Sequence, residues 1–363
     1  MNRKEPSERL IGLLLGGAVG DALGLPAEGL SPKRQKKWWP GDLRHDFVFG
    51  RGMFSDDTEH AFMTAQALLE ADGDVERFRL SLAWKLRWWF VALPAGVGLA
   101  TARACVRLWL GVPPERSGVN SAGNGPAMRS AILGAVLAED TERRRAFVRA
   151  STRLTHLDPR AEVAALAVAE AAAWIVRGSR SGEAPLEHGQ SETPDVVGSV
   201  EELLPRLGAD DPEWRTACGH METSLRKGDS VCAFAGAIGL EHGVAGYAYH
   251  TVPVALYAWL RHRGDFHRTL AAAVRCGGDT DTVASIAGAL AGGDVGINGI
   301  PSGWRRRLVD WPRSPRLLER LAGELDSPHG KPVPWCWLGV LPRNLFFLAV
   351  TLTHGFRRLL PPY

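Results

Sequence analysis

The chain has 363 residues, of which 45% are hydrophobic and 23% are charged, and its formal net charge is +3. This composition is typical of a folded globular protein and argues against disorder, and the overall charge is too small to indicate nucleic acid or an acidic membrane as the partner. Five cysteines without a CxxC pair argue against a disulfide framework or a zinc site, and they favour a reducing, cytoplasmic compartment.

Helical patterns dominate the sequence. Windows rich in Ala and Leu, without alternating β-branched residues, predict helices at 58–71, 127–137, 159–176, 246–260 and 282–291. The VVGSV segment near Val196 is the nearest approach to a strand, and its pattern is weak. The sequence therefore predicts an all-α protein.

Small residues recur one helical turn apart in two apolar windows, namely Gly16, Gly20 and Gly24 near the N-terminus and Ala284, Gly288 and Gly292 in a late helix. This spacing predicts close contact between helices. The N-terminal apolar stretch could suggest a signal peptide, but Asp21 follows closely and no convincing cleavage site is present. The apolar run at 345–352 is far shorter than the roughly 20 residues that a bilayer requires, so no membrane span is predicted.

Two segments interrupt the helical pattern. Residues 178–198 are rich in Ser, Gly, Glu and Pro, which predicts a solvated loop. Residues 31–51 are basic and aromatic; such a mixture can contact phosphates or stack on bases, but a surface loop anchored by its tryptophans is the simpler interpretation. After Gly299 the chain is Pro- and Arg-rich and ends in an amphipathic tail. We therefore predict a main domain at 1–299 and a C-terminal extension at 300–363, packed on or beside it.

Two acidic clusters, SDDT at 55–58 and GGDTDT at 277–282, each lie directly before a predicted helix. Helix capping explains either cluster alone, because Ser, Thr and Asp are preferred N-caps. Together, however, they supply four carboxylates in apolar surroundings, and these repel one another unless a cation lies between them. Oxygen ligands favour Mg²⁺ or Mn²⁺ over zinc, and two such ions about 3.5–4 Å apart form a common catalytic arrangement.

Three further motifs carry polar residues. GDALGLPAEG brings Asp21 and Glu28 to one neighbourhood, and SAGNGPAMR is a glycine loop that opens a helix, as anion sites often do. This loop lacks the GxxxxGK[ST] pattern, so hydrolysis of a nucleoside triphosphate is not indicated. THLDP places His156 before an Ala-rich helix, where a lone histidine is more often structural than catalytic.

The motifs GDALGLPAEG, FSDDTE, SAGNGPAMRSA, LTHLDPRA and RCGGDTDTVASIAGALAG, in that order, resemble the ADP-ribosylglycohydrolase family. The pairing of GGDTDT with SDDT is the most specific feature. The resemblance implies an all-α, orthogonal multi-helix bundle with a central cleft that holds two Mg²⁺ or Mn²⁺ ions.

The resemblance also implies roles for individual residues. The family's metal ligands fall on Ser55, Asp56, Asp57, Asp279, Asp281 and Thr282, and the hydroxyl of Ser55 stands where many relatives have Thr. The substrate-binding positions fall on Asp21, Ser121, Gly123, Asn124, Gly125, His156 and Tyr247. Glu28, Asp56 and Asp281 are the candidates for catalytic proton transfer, and the sequence does not decide among them.

The implied activity is metal-dependent hydrolysis of the bond between ADP-ribose and an acceptor such as an arginine side chain of a protein. The expected partners are ADP-ribose or an ADP-ribosylated protein, with nucleic acid less favoured, and we expect a cytoplasmic monomer. Two alternatives are a protein that binds ADP-ribose without turnover and an immunity protein that neutralises an ADP-ribosylating toxin. An inactive relative is expected to lose metal carboxylates, and because all four are present here, the sequence favours an enzyme.

Overall fold

The computed structural model describes residues 8–180 and 211–361, and within these ranges it contains sixteen α-helices and no β-strand. The helices are α1 (Glu8–Gly24), α2 (Pro32–Trp38), α3 (Asp56–Ala71), α4 (Val75–Val91), α5 (Leu99–Trp109), α6 (Ala131–Val136), α7 (Thr141–Arg153), α8 (Pro159–Arg180), α9 (Pro212–Lys227), α10 (Val231–Ala237), α11 (Ala248–Arg261), α12 (Phe266–Arg275), α13 (Thr280–Gly299), α14 (Ser302–Arg307), α15 (Pro315–Leu325) and α16 (Val340–Arg357). The all-α prediction is confirmed. The weak strand near Val196 and most of the predicted 178–198 loop lie outside the described residues, and residues 178–180 belong to α8 instead.

Helices α1 and α13 form the centre of the bundle, and they pack closely because small residues face each other along both helices. A methyl group at Gly16 would lie 2.3 Å from the carbonyl oxygen of Gly288, and one at Gly20 would lie 2.0 Å from that of Ala284. No larger side chain fits without separating the helices. The predicted close helix contact is therefore confirmed, and it places the end of α1 beside the start of α13.

The segment Glu8–Ala27, which contains α1, is long and apolar enough to cross a membrane, and it is the one such segment among the described residues. However, 94% of its most apolar window is buried inside the protein, against α13, α15 and α3. This burial accounts for its apolar sequence, because a helix enclosed on all sides has no polar face.

The prediction of a loop across residues 31–51 is wrong for residues 32–38, which form α2. Ser31 caps this helix by accepting a hydrogen bond from the Arg34 backbone nitrogen, and Pro32 occupies the first helical position, which proline favours. The basic residues that suggested a loop are also good helix formers, and this outweighed the aromatic residues beside them.

The chain after Gly299 contacts the central helices through α15 and through buried ion pairs. Arg343 on α16 donates to Asp310, with 2.6 Å between Nη2 and Oδ2, and Arg313 pairs with Glu59 on α3. All four side chains are at least 96% buried. These contacts join the C-terminal segment to α3, which begins at the first acidic cluster.

Candidate active site

The end of α1 and the start of α3 are joined through Asp21. This fully buried carboxylate accepts hydrogen bonds from the Ser55 backbone nitrogen at 2.9 Å, from the Thr58 backbone nitrogen at 3.1 Å and from the Thr58 hydroxyl at 2.6 Å. Asp21 therefore serves the first turn of α3, where backbone donors lack helical partners. A direct contact between Asp21 and substrate stays a prediction.

The two acidic clusters meet at Asp57. The hydroxyls of Ser55 and Thr282 both donate to its Oδ2 atom, each at 3.2 Å, although Thr282 lies on α13 and Ser55 precedes α3. The other oxygen, Oδ1, is buried without a hydrogen-bond partner. Such an atom is costly unless another group satisfies it, so Asp57 is where the site most needs an additional ligand.

Capping explains the two clusters unequally. Ser55 is the N-cap of α3, and its hydroxyl accepts from the Asp57 backbone nitrogen at 3.3 Å. Asp279 is the N-cap of α13, but its side chain makes no capping bond. Its Oδ2 instead accepts from Asn124 Nδ2 at 2.6 Å. The second cluster therefore directs a carboxylate away from its own helix and into the cleft.

The carboxylates of the site raise one another's pKa. Burial raises the pKa of Asp56, Asp57 and Asp281 well above the usual aspartate value, and the neighbouring carboxylates raise it further. Burial also raises the pKa of Asp21 to about 6, although its hydrogen bonds with Ser55 and Thr58 oppose the rise. Ionising this cluster is therefore costly without an added positive charge.

The chemistry of the site fits Mg²⁺ or Mn²⁺, because its donors are carboxylate and hydroxyl oxygens. The unpartnered Oδ1 of Asp57 is an atom that a cation would satisfy. Within residues 8–180 and 211–361, however, no three His, Cys, Asp or Glu side chains converge into a finished metal-binding group. The described residues thus provide oxygen ligands of the right type near one another, but these ligands are not yet arranged around a single point.

The glycine loop is attached to this cluster through Asn124. Its Nδ2 donates to Asp279 and, at 2.9 Å, to the hydroxyl of Thr251 on α11. Its backbone nitrogen donates to the Gly246 carbonyl at 3.1 Å. Ser121 supports the loop by accepting from the Gly123 backbone nitrogen at 3.3 Å. The structure thus brings the glycine loop and the start of α13 together, which agrees with what the family resemblance implies.

His156 lies directly beneath the glycine loop. A methyl group at Gly123 would lie 2.9 Å from His156 Nε2, and one at Gly125 would lie 3.2 Å from Cε1. Burial, reinforced by Arg129, lowers the pKa of His156 to about 3, so the imidazole is neutral at physiological pH. Its position supports the loop and adds no positive charge to the cleft.

Tyr247 borders the glycine loop through a backbone bridge to Gly123. Its hydroxyl donates to Glu213 at 2.8 Å and accepts from Arg160 at 3.3 Å. Asp158 holds Arg160 through two hydrogen bonds, at 2.9 Å and 2.7 Å. Arg160 lies within the LTHLDPRA motif, two residues after Asp158, but no role for it was predicted from the sequence.

Glu28 lies at the solvent-exposed mouth of the cleft, and a residue from the C-terminal segment holds its turn. Arg358 donates to the carbonyl oxygens of Glu28 at 2.7 Å and Pro26 at 2.8 Å, and Arg34 donates to the Arg358 carbonyl at 2.9 Å. Protein atoms still surround Glu28, and this desolvation, together with repulsion from Asp279, raises its pKa. The contact of Arg358 with this turn was not predicted either. Arg358 lies far beyond the last sequence motif, and no local pattern relates it to residue 28.

A cavity of about 430 Å³ lies beyond the Glu28 turn, against α2 and α12. Its walls include Trp39, Lys36 and Arg275, but none of the predicted site residues. Because it contains no cluster of unpaired carboxylates, we place the candidate chemistry in the acidic cleft instead.

Known proteins are similar to this chain in sequence and in fold. The sequence profile of the ADP-ribosylglycohydrolase family matches residues 2–331. The chain is 26% identical to ADP-ribosylhydrolase ARH3 of Homo sapiens, over 78% of this chain and 80% of that protein. It is 27% identical to the ADP-ribosyl-(dinitrogen reductase) glycohydrolase of Rhodospirillum rubrum, over 83% of this chain and 90% of that protein.

A solved structure, described as an ADP-ribosylglycohydrolase-related protein complex, is similar with a TM-score of 0.61 at 29% identity. The similarity covers 89% of this chain and 98% of that one, and it confirms the predicted fold class. The family match also continues past the five sequence motifs, to residue 331. The chain therefore belongs to the ADP-ribosylglycohydrolase family.

Proposed function

We propose that this protein is a Mg²⁺- or Mn²⁺-dependent hydrolase that cleaves the glycosidic bond between ADP-ribose and an acceptor, with a protein side chain such as arginine as the preferred acceptor. The observation that supports it most strongly is the junction at Asp57, where two acidic clusters meet around a buried, unpartnered carboxylate oxygen. The names of the human and Rhodospirillum rubrum relatives support the reaction type.

Six residues would hold the ions, namely Ser55, Asp56, Asp57, Asp279, Asp281 and Thr282. When bound, such ions orient the ribose hydroxyls and lower the pKa of a water molecule. The chain's own part is to supply oxygens whose negative charge is otherwise unbalanced, which favours cation binding over an empty, ionised site.

Glu28 is the carboxylate best placed to move a proton. It lies at the mouth, where a leaving acceptor would depart, and its raised pKa lets it hold a proton closer to neutral pH than an ordinary glutamate does. Asp56 and Asp281 remain alternatives because they belong to the same cluster. Cleavage at the anomeric carbon passes through an oxocarbenium-like state, which nearby carboxylates stabilise.

The glycine loop would bind the diphosphate of ADP-ribose through backbone N–H groups, since glycines let a ligand approach the backbone closely. Asn124 links this loop to Asp279, so a diphosphate on the loop would lie next to the acidic cluster. Tyr247 and Arg160 border the same loop and would contact the adenosine end.

A panel of substrates tests the proposal. ADP-ribosylated arginine peptide, ADP-ribosylated serine peptide and O-acetyl-ADP-ribose are incubated with the full-length protein in Mg²⁺, in Mn²⁺ or in a chelator. We expect metal-dependent release of ADP-ribose, greatest from the arginine peptide. Tight binding of ADP-ribose without release from any substrate would instead identify a non-catalytic binder, and release that is undiminished by the chelator would refute the metal requirement.

A further inference from the structure

Helix α16 exposes an apolar face along its length. Its contacts with the protein run along one edge, where Val340, Arg343, Asn344 and Phe347 are buried. The outward residues Leu341, Leu345, Phe346, Leu348, Leu352 and Phe356 are large and hydrophobic, and each is between 36% and 68% exposed. A row of this length on a protein surface marks an interaction site.

The apolar surface continues beyond the helix. Trp337 and Leu338 precede α16, Leu359 and Leu360 follow it, and all four are more than half exposed. Nearby, Phe49 is fully exposed at the tip of a turn, with a positive φ of 46°. A bulky residue in this conformation is strained, so the turn holds an aromatic ring in solvent with no compensating packing in the isolated chain.

The turn that carries Phe49 contacts α16. Phe47, two residues before it, packs against Phe347 with ring centres 4.8 Å apart and stacks on His354 at 5.4 Å. The His354 ring also bonds to the Phe47 carbonyl oxygen at 2.8 Å. We call the exposed helix face and the exposed residues at its two ends the α16 surface, and the Phe49 turn packs against the buried edge of the same helix.

Helices α16 and α2 carry basic residues and no acidic ones. Residues 327–363 contain no Asp or Glu. The basic helix α2 lies against the end of α16, since the Arg357 guanidinium lies 4.5 Å from the Trp38 ring centre and Arg34 bonds to the Arg358 carbonyl. Lys33 on α2 is exposed, whereas Lys36 lines the cavity on the other side of that helix. An apolar helix face with a basic border is complementary to an anionic, apolar partner.

We propose that the α16 surface docks this protein onto a membrane that contains anionic phospholipid. Amphipathic helices bind such membranes with the apolar face among the acyl chains and with basic residues at the headgroups, and tryptophan favours that interface. A second copy of the chain is the alternative occupant, and the experiment below distinguishes it from lipid. The end of α16 also holds the Glu28 turn, so the docked protein carries its cleft mouth near the lipid.

Vesicle co-sedimentation of the full-length protein tests the proposal, with phosphatidylcholine alone compared with an equal mixture of phosphatidylcholine and phosphatidylglycerol. We expect binding to the anionic vesicles, with at least roughly tenfold weaker binding to neutral ones and a decrease on adding salt. Lys33→Gln is expected to weaken binding to the anionic vesicles by roughly fivefold.

Leu345→Glu with Leu352→Glu should abolish vesicle binding, because it places carboxylates on the apolar face. The matched control is Leu80→Glu, because Leu80 on α4 is about as exposed as Leu345 and Leu352. The end of α4 contacts α16 at Ala92, and Leu80 lies about 18 Å from Ala92 along α4. This control should bind vesicles as the wild type does. All variants should have the melting temperature of the wild type, which separates loss of docking from loss of folding. If the wild type hydrolyses a soluble substrate, all variants should do so equally well, which separates docking from the proposed function.

Three outcomes would overturn the proposal. The first is absence of binding to anionic vesicles, and the second is unchanged binding by the Leu345→Glu, Leu352→Glu variant. The third is a lipid-free wild-type dimer, detected by light scattering, that this variant converts to a monomer while vesicles bind neither protein. That last result would assign the α16 surface to a second copy of the chain.

Discussion

The carboxylates at the start of helix α3 lie in two different electrostatic surroundings. Asp56 and Asp57 in its first turn belong to the acidic cleft, where carboxylates neighbour carboxylates. Glu59, less than one turn further along, faces a different neighbourhood. It accepts from Trp89 Nε1 at 2.5 Å and pairs with both Arg313 and Arg343.

The pKa values reflect this difference. Burial raises the pKa of Asp310, in the paired region, only to about 6, because Arg343 opposes the rise. Burial and repulsion raise the pKa of Asp57 well above the normal value, with only the Ser55 hydroxyl opposing. Where buried acids serve structure, this protein neutralises them with its own guanidinium groups. In the cleft, the protein provides carboxylate and hydroxyl oxygens, and a bound ligand has to supply the balancing positive charge.

The largest expected loss of stability follows from removing an arginine that pairs with the buried acids Glu59 and Asp310. Arg343→Met removes a guanidinium that serves Glu59, Asp310 and the Phe54 carbonyl, leaving buried groups without compensation. We expect the free energy of unfolding to fall by about 3–5 kcal/mol, measured by urea denaturation at pH 7 in chelator. The matched change in the cleft, Asp57→Asn, should cost little or even stabilise the metal-free protein, since it relieves repulsion. Equal losses for both variants would contradict the comparison.

A change at the mouth of the cleft should affect turnover instead of stability. Glu28→Gln is expected to lower kcat by about 10²- to 10⁴-fold, the usual contribution of a general acid or base, while metal affinity changes little. Single-turnover kinetics on the best substrate of the panel measures this effect. An unchanged rate would transfer the proton-transfer role to Asp56 or Asp281.

The pH dependence of metal binding sharpens the comparison further. A carboxyl group whose pKa is raised keeps its proton to higher pH, so a cation must displace that proton, and affinity rises as the pH passes the pKa. Since the pKa of Asp21 is raised to about 6 and those of Asp57 and Asp281 also lie above normal, the Mg²⁺-induced rise in melting temperature should be small at pH 5 and larger at pH 8. At each pH, the melting temperature in chelator is subtracted from that in Mg²⁺. This subtraction removes the contribution of histidines that titrate in both samples. A shift that is independent of pH would contradict the raised pKa values.

The smallest expected effect concerns Arg358, which ties the Glu28 turn to the end of α16. Arg358→Gln loses charge-assisted bonds at a partly exposed position, so we expect about a tenfold reduction in kcat or less, with the number of bound metal ions unchanged. Arg357→Gln, one residue away, is the matched control and should turn over as the wild type does. A larger loss with Arg357→Gln than with Arg358→Gln would contradict the role of the latter.

The sequence revealed those parts of the fold that leave a local pattern. Glycines spaced by one turn predicted close contact between helices, because only small residues permit it, and the structure identifies the two helices as α1 and α13. Four carboxylates placed before two helices, more than capping requires, predicted that distant clusters share a site. The roles of these residues in binding metal and substrate stay predictions.

The guanidinium partners could not be predicted in the same way. Arg343 and Arg358 reach residues about 300 positions earlier in the chain, and a contact of that separation produces no periodicity or spacing at either end. Arginine-rich sequence after Gly299 indicated only a basic extension. Likewise, Asp21 was predicted to lie near substrate, whereas its role as acceptor for the first turn of α3 depends on how α1 and α3 pack together.

The central claim is that the acidic cleft takes its balancing charge from bound divalent ions. Calorimetric titration of Mn²⁺ into the full-length, chelator-treated protein tests this most directly, with Asp57→Asn as the comparison and melting temperature as a second readout. We expect about two ions per chain for the wild type, with a raised melting temperature, and fewer and weaker ions for Asp57→Asn. Absence of binding heat and of any thermal shift in the wild type, or binding that Asp57→Asn leaves unchanged, would contradict the claim.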